Sequence, residues 1–335
     1  MTKKGKDIVN ILSIDGGGVR GIIPCIFLNH LRKELDNIGN TTPFYNLFDI
    51  VSGTSTGSLI SLMLVKPPKE YSDEDRLALL IDLYENKTKD IFPQAKCETL
   101  QNVKHLVRPK YSGRPLKKLL RQNFKDLTLR DSLTNLIIPS YDMISMRPYL
   151  FKQHMNNNYY PNFFLKDVGL SSSAAPTYFP PVNTKSLSDG HTYCFIDGGV
   201  SCNNPSLCAY TYAKKIFPST KKFNILSLGT GEYERSYDCN KVKKWGILGW
   251  MNPLNKIPLL TAFMDSQMEG DSYILNSTDD VKEYRFEISL NGVSSEMDDS
   301  SSRNISFLKG KAAQLILLNR YQINQLVKAL STRLV

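Results

Sequence analysis

The sequence predicts an α/β fold with a largely parallel central sheet, and two observations carry that prediction. Short aliphatic runs alternate with longer helical stretches along much of the 335 residues, the pattern of strands joined by crossover helices. Two glycine-rich turns, at 15–21 and 53–57, each follow such a run and open a helical stretch. In open parallel sheets the chemistry gathers at those strand-to-helix junctions.

The elements follow in order. Residues 8–14 (IVNILSI) read as a buried strand, and a helix runs from Ile22 to about Leu35. Pro24 suits that helix's first turn, where a missing N–H costs nothing. A second strand is expected at 47–52, and a helix leads from the second turn through Leu64. Lys66 to Glu70, with two prolines, marks a loop; a helix from about Asp73 to Asn86 follows, and 113–125 reads as helical and basic. Residues 135–144 read as a strand in which Pro139 argues for an edge or a bulge. Further strands are expected at 192–196 and 223–228, with a helix at about 205–216 between them. The stretch 232–256 is irregular and aromatic, and 294–302 is an acidic, serine-rich surface loop. From about 303 to 331 apolar residues recur at helical spacing, predicting one long helix packed on the body. The whole chain, 1–335, is expected to form a single domain, with a core at 8–231 and a C-terminal extension at 232–335.

Composition narrows the function. The chain is 41% hydrophobic and 22% charged, which excludes a disordered or fibrous protein. Its net charge of +10 suits anionic partners, but the basic residues are scattered, and no nucleic-acid-binding motif is present. Six cysteines show no metal-ligand spacing, so free thiols in a reducing compartment are expected. No signal peptide and no membrane-spanning run is read, so the expected location is cytoplasmic and peripheral to membranes, with non-classical export open.

The turn Gly53-Thr54-Ser55-Thr56-Gly57 fits G-x-S-x-G in the required strand-turn-helix context. A sharp turn lifts the Ser55 hydroxyl clear of the backbone at a helix N-terminus, and small residues on either side let strand and helix approach. The first turn, Asp15-Gly16-Gly17-Gly18-Val19-Arg20-Gly21, contains G-x-G-x-x-G, but Asp36, at dinucleotide spacing, falls on a helix rather than a strand end. Successive glycine amides at a helix start instead make an anion-binding nest that could hold an oxyanion. Ser55 needs a base. The four histidines (30, 105, 154 and 191) lie in no recognisable motif, whereas Asp197 ends a predicted strand and precedes Gly198-Gly199. A carboxylate can take the hydroxyl proton during attack and return it to the leaving oxygen.

Together DGGGVRG (15–21), GTSTG (53–57), SSSAAPTYFPP (171–181), DGGVSCNNP (197–205) and LSLGTG (226–231) resemble, in order, the patatin-like phospholipase family. PKYSGRPLKKLL (109–120) and KWGILGW (244–250) are similar to the plant lipid acyl hydrolases and their bacterial relatives. The resemblance implies a patatin-like three-layer fold and a Ser55–Asp197 dyad without histidine. It implies an oxyanion hole from the amides of Gly17 and Gly18, with Gly16 beside them, and a loop-bracing Arg20. Asp15, Gly21, Gly53, Thr54, Thr56, Gly57, Gly198 and Gly199 are the supporting motif residues. Implied substrates are membrane phospholipids, lysophospholipids or galactolipids, reached by peripheral contact, with no metal or cofactor and with room for a protein or small-molecule activator. One departure is Ser58, where the plant relatives usually carry glycine. Residues 86–112 and 232–256 are the candidate lids. Acyl transfer through the same acyl-enzyme stays open. A nucleotide-dependent oxidoreductase would leave GTSTG and DGG unexplained, and a storage or scaffold protein would not need Ser55 and Asp197.

Overall fold

The computed structural model describes residues 6–67, 71–93, 108–155, 160–233, 236–251, 258–292, 294 and 296–331. Eight strands form one sheet: β1 (Ile8–Ile14), β2 (Ile50–Gly53), β3 (Asn135–Asp142), β4 (Arg147–Gln153), β5 (Val182–Lys185), β6 (Thr192–Asp197), β7 (Lys222–Leu228) and β8 (Val281–Phe286). Their order is β5-β6-β3-β2-β1-β7-β8, with β4 also paired to β3. β3, β2, β1, β7 and β8 run parallel; β4 and β6 run antiparallel to β3, as β5 does to β6.

Helices cover both faces, as a parallel sheet requires. On one face lie α1 (Ile22–Asn37), α2 (Thr56–Val65), α3 (Asp73–Asp82), α4 (Arg114–Phe124) and α5 (Leu165–Ser172), and their apolar residues join those of the sheet in the larger core. On the other, α6 (Ser206–Ile216) buries Ala209, Tyr212 and Ala213 against Ile11, Ile50 and Ile137, with Leu275 of α7 (Pro258–Asn276). Helices α8 (Ser302–Leu318) and α9 (Arg320–Ser331) pack on α1. The expected long terminal helix is therefore two. Asn319 leaves helical geometry (φ −110°, ψ 19°), and its side-chain amide caps the Leu315 carbonyl at 2.8 Å. β8 pairs with β7 along its length, so residues beyond 231 complete the sheet rather than merely cover it.

Two features of the register position the chemistry. Ile14 pairs with Gly53 on one side and Leu228 on the other, so β2, β1 and β7 end level and their following loops are neighbours. The second concerns β3, which is interior, not the edge that Pro139 suggested. β4 occupies one of its edges from 136 to 142, so β2 and β6 share the other. β2 runs up that edge to Ile137 and β6 runs down it to Ser140, so their C-terminal tips face each other. Pro139 falls in the gap between the two partners, where a missing N–H costs least.

Candidate active site

Ser55 is two residues past the tip of β2 and Asp197 is the tip of β6. Ser55 has φ 54° and ψ −120°, a left-handed conformation that L side chains rarely adopt. The surroundings enforce it. The Ser55 amide donates to Ser172 Oγ at 3.1 Å, and Ser172 Oγ in turn donates to the Pro139 carbonyl at 2.7 Å. Thr54 is held on both sides, its amide on the Ile14 carbonyl and its hydroxyl on the Cys202 carbonyl (3.1 and 2.7 Å). A Cβ on Gly53 would stand 2.2 Å from the Gly57 carbonyl, and one on Gly57 would stand 2.2 Å from that of Ile14. No side chain fits at either position, which is the steric reason for the motif.

The Asp197 carboxyl is buried and accepts from the Gly199 amide at 2.7 Å; the Ser55 hydroxyl is its side-chain donor. Burial raises its pKa to about 6, against the lowering effect of those two donors. Among the described residues no other group acts on it, and the described histidines lie elsewhere. His30 is near Glu34 on α1, His154 follows β4, and His191 lies edge-on to Tyr193. His105 is outside the described residues. Gly198 has no room for a side chain either, since a Cβ would meet the Pro139 carbonyl at 2.4 Å.

The first glycine loop passes beside Ser55; a Cβ on Gly16 would lie 3.3 Å from that of Ser55. The three amides differ. Gly16 N–H donates to the Asn203 carbonyl at 3.3 Å. For the amides of Gly17 and Gly18 no partner is found among the described residues. Gly17 is pressed against Thr230, whose hydroxyl donates to the Gly16 carbonyl at 2.7 Å. Gly18 has φ +59° and would place a Cβ 2.1 Å from the Met297 carbonyl. Arg20 ties the loop to its surroundings: Nε donates to the Gly17 carbonyl at 3.1 Å and a terminal nitrogen to the Gly231 carbonyl at 3.2 Å. Behind Gly21, Thr56 hydrogen-bonds the Tyr84 hydroxyl. Ser58 donates to the Ser55 carbonyl at 2.6 Å.

Sequence reading missed the layer beneath. Arg285 on β8 reaches Asp15 at 2.7 Å, Glu287 at 2.6 Å and Ser227 at 2.9 Å. Burial raises the Asp15 pKa to about 6 even beside this guanidinium. Glu287 then accepts from the amides of Gly231 and Ile288 at 2.8 and 3.1 Å. The only sequence signal was the alternation Glu283-Arg285-Glu287 on one face of an unassigned strand. Ser172, Asn203 and Thr230 lay in motif stretches, but nothing marked them as contacts of the glycine loop or the serine turn.

The family model for patatin-like phospholipases matches residues 12–210, a span that includes Ser55, Asp197 and the first glycine loop. The chain belongs to the patatin-like phospholipase family. Patatin-like protein 2 of Arabidopsis thaliana is 35% identical over 287 residues, 79% of this chain and 70% of its own length. Probable inactive patatin-3-Kuras 1 of Solanum tuberosum is 30% identical over 90% of this chain and 84% of its own. Among solved structures, VipD from Legionella pneumophila aligns with a TM-score of 0.41 at 14% identity, covering 93% of this chain and 67% of that one. Membership in the patatin-like phospholipases supports lipid hydrolysis. Among the described residues no group of side chains is suited to hold a metal, and no helix is long and apolar enough to cross a membrane.

Proposed function

We propose that this protein is an acyl hydrolase of membrane glycerolipids, of phospholipase A or lysophospholipase type, acting through a Ser55–Asp197 dyad. The observation that carries the reading is the meeting of two strand tips. It sets a serine hydroxyl on a buried carboxylate of raised basicity, with two glycine amides close by. Ser55 Oγ attacks the ester carbonyl as Asp197 takes its proton. The amides of Gly17 and Gly18 receive the oxyanion, and Asp197 returns the proton to the departing lysolipid or glycerol oxygen. Water then attacks the acyl carbonyl as Asp197 takes its proton, and Asp197 returns that proton to Ser55 Oγ as the fatty acid leaves. No metal ion or cofactor takes part in these steps. A carboxylate with a pKa near 6 is mostly ionised at pH 7, so it is ready to accept a proton yet more basic than an exposed aspartate.

The test is fatty-acid release from mixed phospholipid and galactolipid vesicles, and from a water-soluble short-chain ester, by the natural protein and by Ser55→Ala. We expect release from both substrates and a loss of about 10⁴-fold or more in the variant. Release that survives in folded Ser55→Ala would sink the dyad. Silence of the natural protein toward both substrates and toward a serine-reactive phosphonate would place this chain beside its probable inactive relative.

A further inference from the structure

We infer that the turn formed by residues 239–251, with the start of α7, is a membrane-insertion surface for bilayers carrying anionic lipid. The inference rests on the reading of the strand-tip cluster as a lipid acyl hydrolase, whose substrate has to reach Ser55 from a bilayer.

Residues 239–250, CNKVKKWGILGW, contain two single helical turns, Cys239–Val242 and Ile247–Trp250. An aromatic stack holds them. Tyr237 meets Trp245 edge-on at 5.2 Å, and Trp245 meets Trp250 edge-on at 5.4 Å. Gly249 lies so close to Trp245 that a Cβ there would stand 2.7 Å from the Trp245 side chain. The turn therefore spends its rings on its own bracing and points its aliphatic residues away. Ile247 is 82% exposed and Leu248 is 89% exposed, the two most exposed large apolar side chains among the described residues. A folded chain that orders a loop only to display isoleucine and leucine has a partner for them.

Charge and position select that partner. Lys241, Lys243 and Lys244 are exposed on the same turn, with Asp238 as the local carboxylate, occupied in capping the Asn240 amide at 2.9 Å. Three exposed lysines beside tryptophans and aliphatic tips suit the headgroup-to-acyl boundary of an anionic bilayer, where each of those side chains has a matching layer. The turn packs on α7, which extends the apolar surface through exposed Leu259 and Phe263. The inner side of the same helix touches the candidate site. Met264 comes to 3.5 Å from the position of a Gly199 Cβ, and Met268 sulfur accepts from the Asn203 amide at 3.1 Å. The same helix thus carries exposed apolar residues, Leu259 and Phe263, and residues that touch the strand-tip cluster, Met264 and Met268. Asp265 and Glu269, exposed on α7, are the acidic groups that the bilayer must avoid.

The chain supplies its own probe. Its two tryptophans, Trp245 and Trp250, both lie in this turn, so all intrinsic tryptophan emission reports from it. Vesicles of phosphatidylcholine mixed with phosphatidylglycerol should shift that emission to the blue, and lipids brominated on the acyl chain should quench it. The binding arm uses Ser55→Ala protein, so that no lipid is consumed. Ile247→Ser combined with Leu248→Ser should lower vesicle partitioning roughly tenfold or more. It should leave hydrolysis of a soluble short-chain ester unchanged. Lys243→Glu with Lys244→Glu should weaken binding to the anionic vesicles far more than to phosphatidylcholine alone, with a difference that shrinks as salt rises. Three results would overturn the inference: no emission change with vesicles, partitioning of the Ile247/Leu248 double variant equal to the parent's, or a concentration-dependent oligomer without vesicles that the double variant abolishes. Failure of the hydrolase reading looks different, because ester cleavage is then absent while the vesicle response persists.

Discussion

The strand-tip cluster and the tryptophan turn are opposites in construction. In the cluster, backbone lies against backbone so closely that Gly53, Gly57 and Gly198 each face a carbonyl oxygen at 2.2–2.4 Å from the place of a missing Cβ. Its polar groups are buried and tied by hydrogen bonds that cross the sheet. In the turn, two short helical pieces are held by three aromatic rings, and the apolar side chains face outward. The first arrangement fixes atoms in place; the second leaves a surface open. One region tolerates almost no change of shape and the other almost no change of polarity.

The largest effect that can test this contrast comes from Asp197→Asn. Activity should fall by about 10⁴-fold, because the amide cannot accept the Ser55 proton. Stability should rise. The folded pKa of Asp197 is about 6, raised by burial above its ordinary value of 3.8, so the folded state holds this proton more tightly than the unfolded chain. The natural protein therefore loses stability as pH climbs from about 4 to about 6, and it carries the full cost above that. Asparagine keeps an acceptor for the Gly199 amide and carries no charge. Urea unfolding should show the variant more stable by up to about 3 kcal/mol at pH 7, with no difference near pH 3. A variant that is less stable at pH 7 would mean that the carboxylate serves the fold and not only the reaction. In the natural protein kcat/KM should rise through an apparent pKa near 6, the same ionisation seen as rate.

Next in size is Gly18→Ala. The position has φ +59°, and the new Cβ would meet the Met297 carbonyl at 2.1 Å, so the loop must shift. A displaced pair of amides should lower kcat by about 10²–10³-fold while vesicle binding through the tryptophan turn stays intact. Loss of binding together with rate would show that the two regions are coupled after all.

How legible this site was depended on what kind of constraint each residue carries. Backbone constraints leave glycine in the sequence, and glycine runs could be read: turns 15–21, 53–57 and 197–199 all lie at the sheet ends where they were expected. The strand runs 8–14 and 223–228 were legible for a related reason, since a doubly covered parallel strand reads as a near-continuous apolar run. Strands β4, β5 and β8 were not, because each carries charged or prolyl residues on a half-exposed or polar face and shows no aliphatic run. Arg285 and Glu287 went unread because a salt-bridge network has no sequence spacing; Asp15 and Arg285 are 270 residues apart. Pro139 misled by a sound rule. An interior strand can carry proline where its neighbour on one edge changes from one strand to another, and that change is a property of the sheet, not of the strand. Of the two candidate lids, residues 94–107 of the first lie outside the described residues, as do 234–235 and 252–257 of the second.

The smallest effect comes from Ser58, the one departure noted from the plant pattern, and it separates fold from chemistry within the cluster itself. Ser58 is buried in the first turn of α2, and its hydroxyl returns to the Ser55 carbonyl at 2.6 Å, a bond that the helix amides of Ser58 and Leu59 already duplicate at 2.9 and 3.3 Å. Replacing it by glycine removes one redundant donor and adds backbone freedom in a helix, which together should cost about 1 kcal/mol of stability. Ser55 keeps its other restraints: the Ser172 hydroxyl, the two glycine contacts and the anchored Thr54. Ser58→Gly should therefore hydrolyse lipid within about twofold of the natural rate, measured beside a urea midpoint that falls slightly. A tenfold loss of kcat with that midpoint unchanged would show that the left-handed turn at Ser55 depends on the serine hydroxyl. The geometry of Ser55 would then be set by side chains as well as by the glycines that announce it.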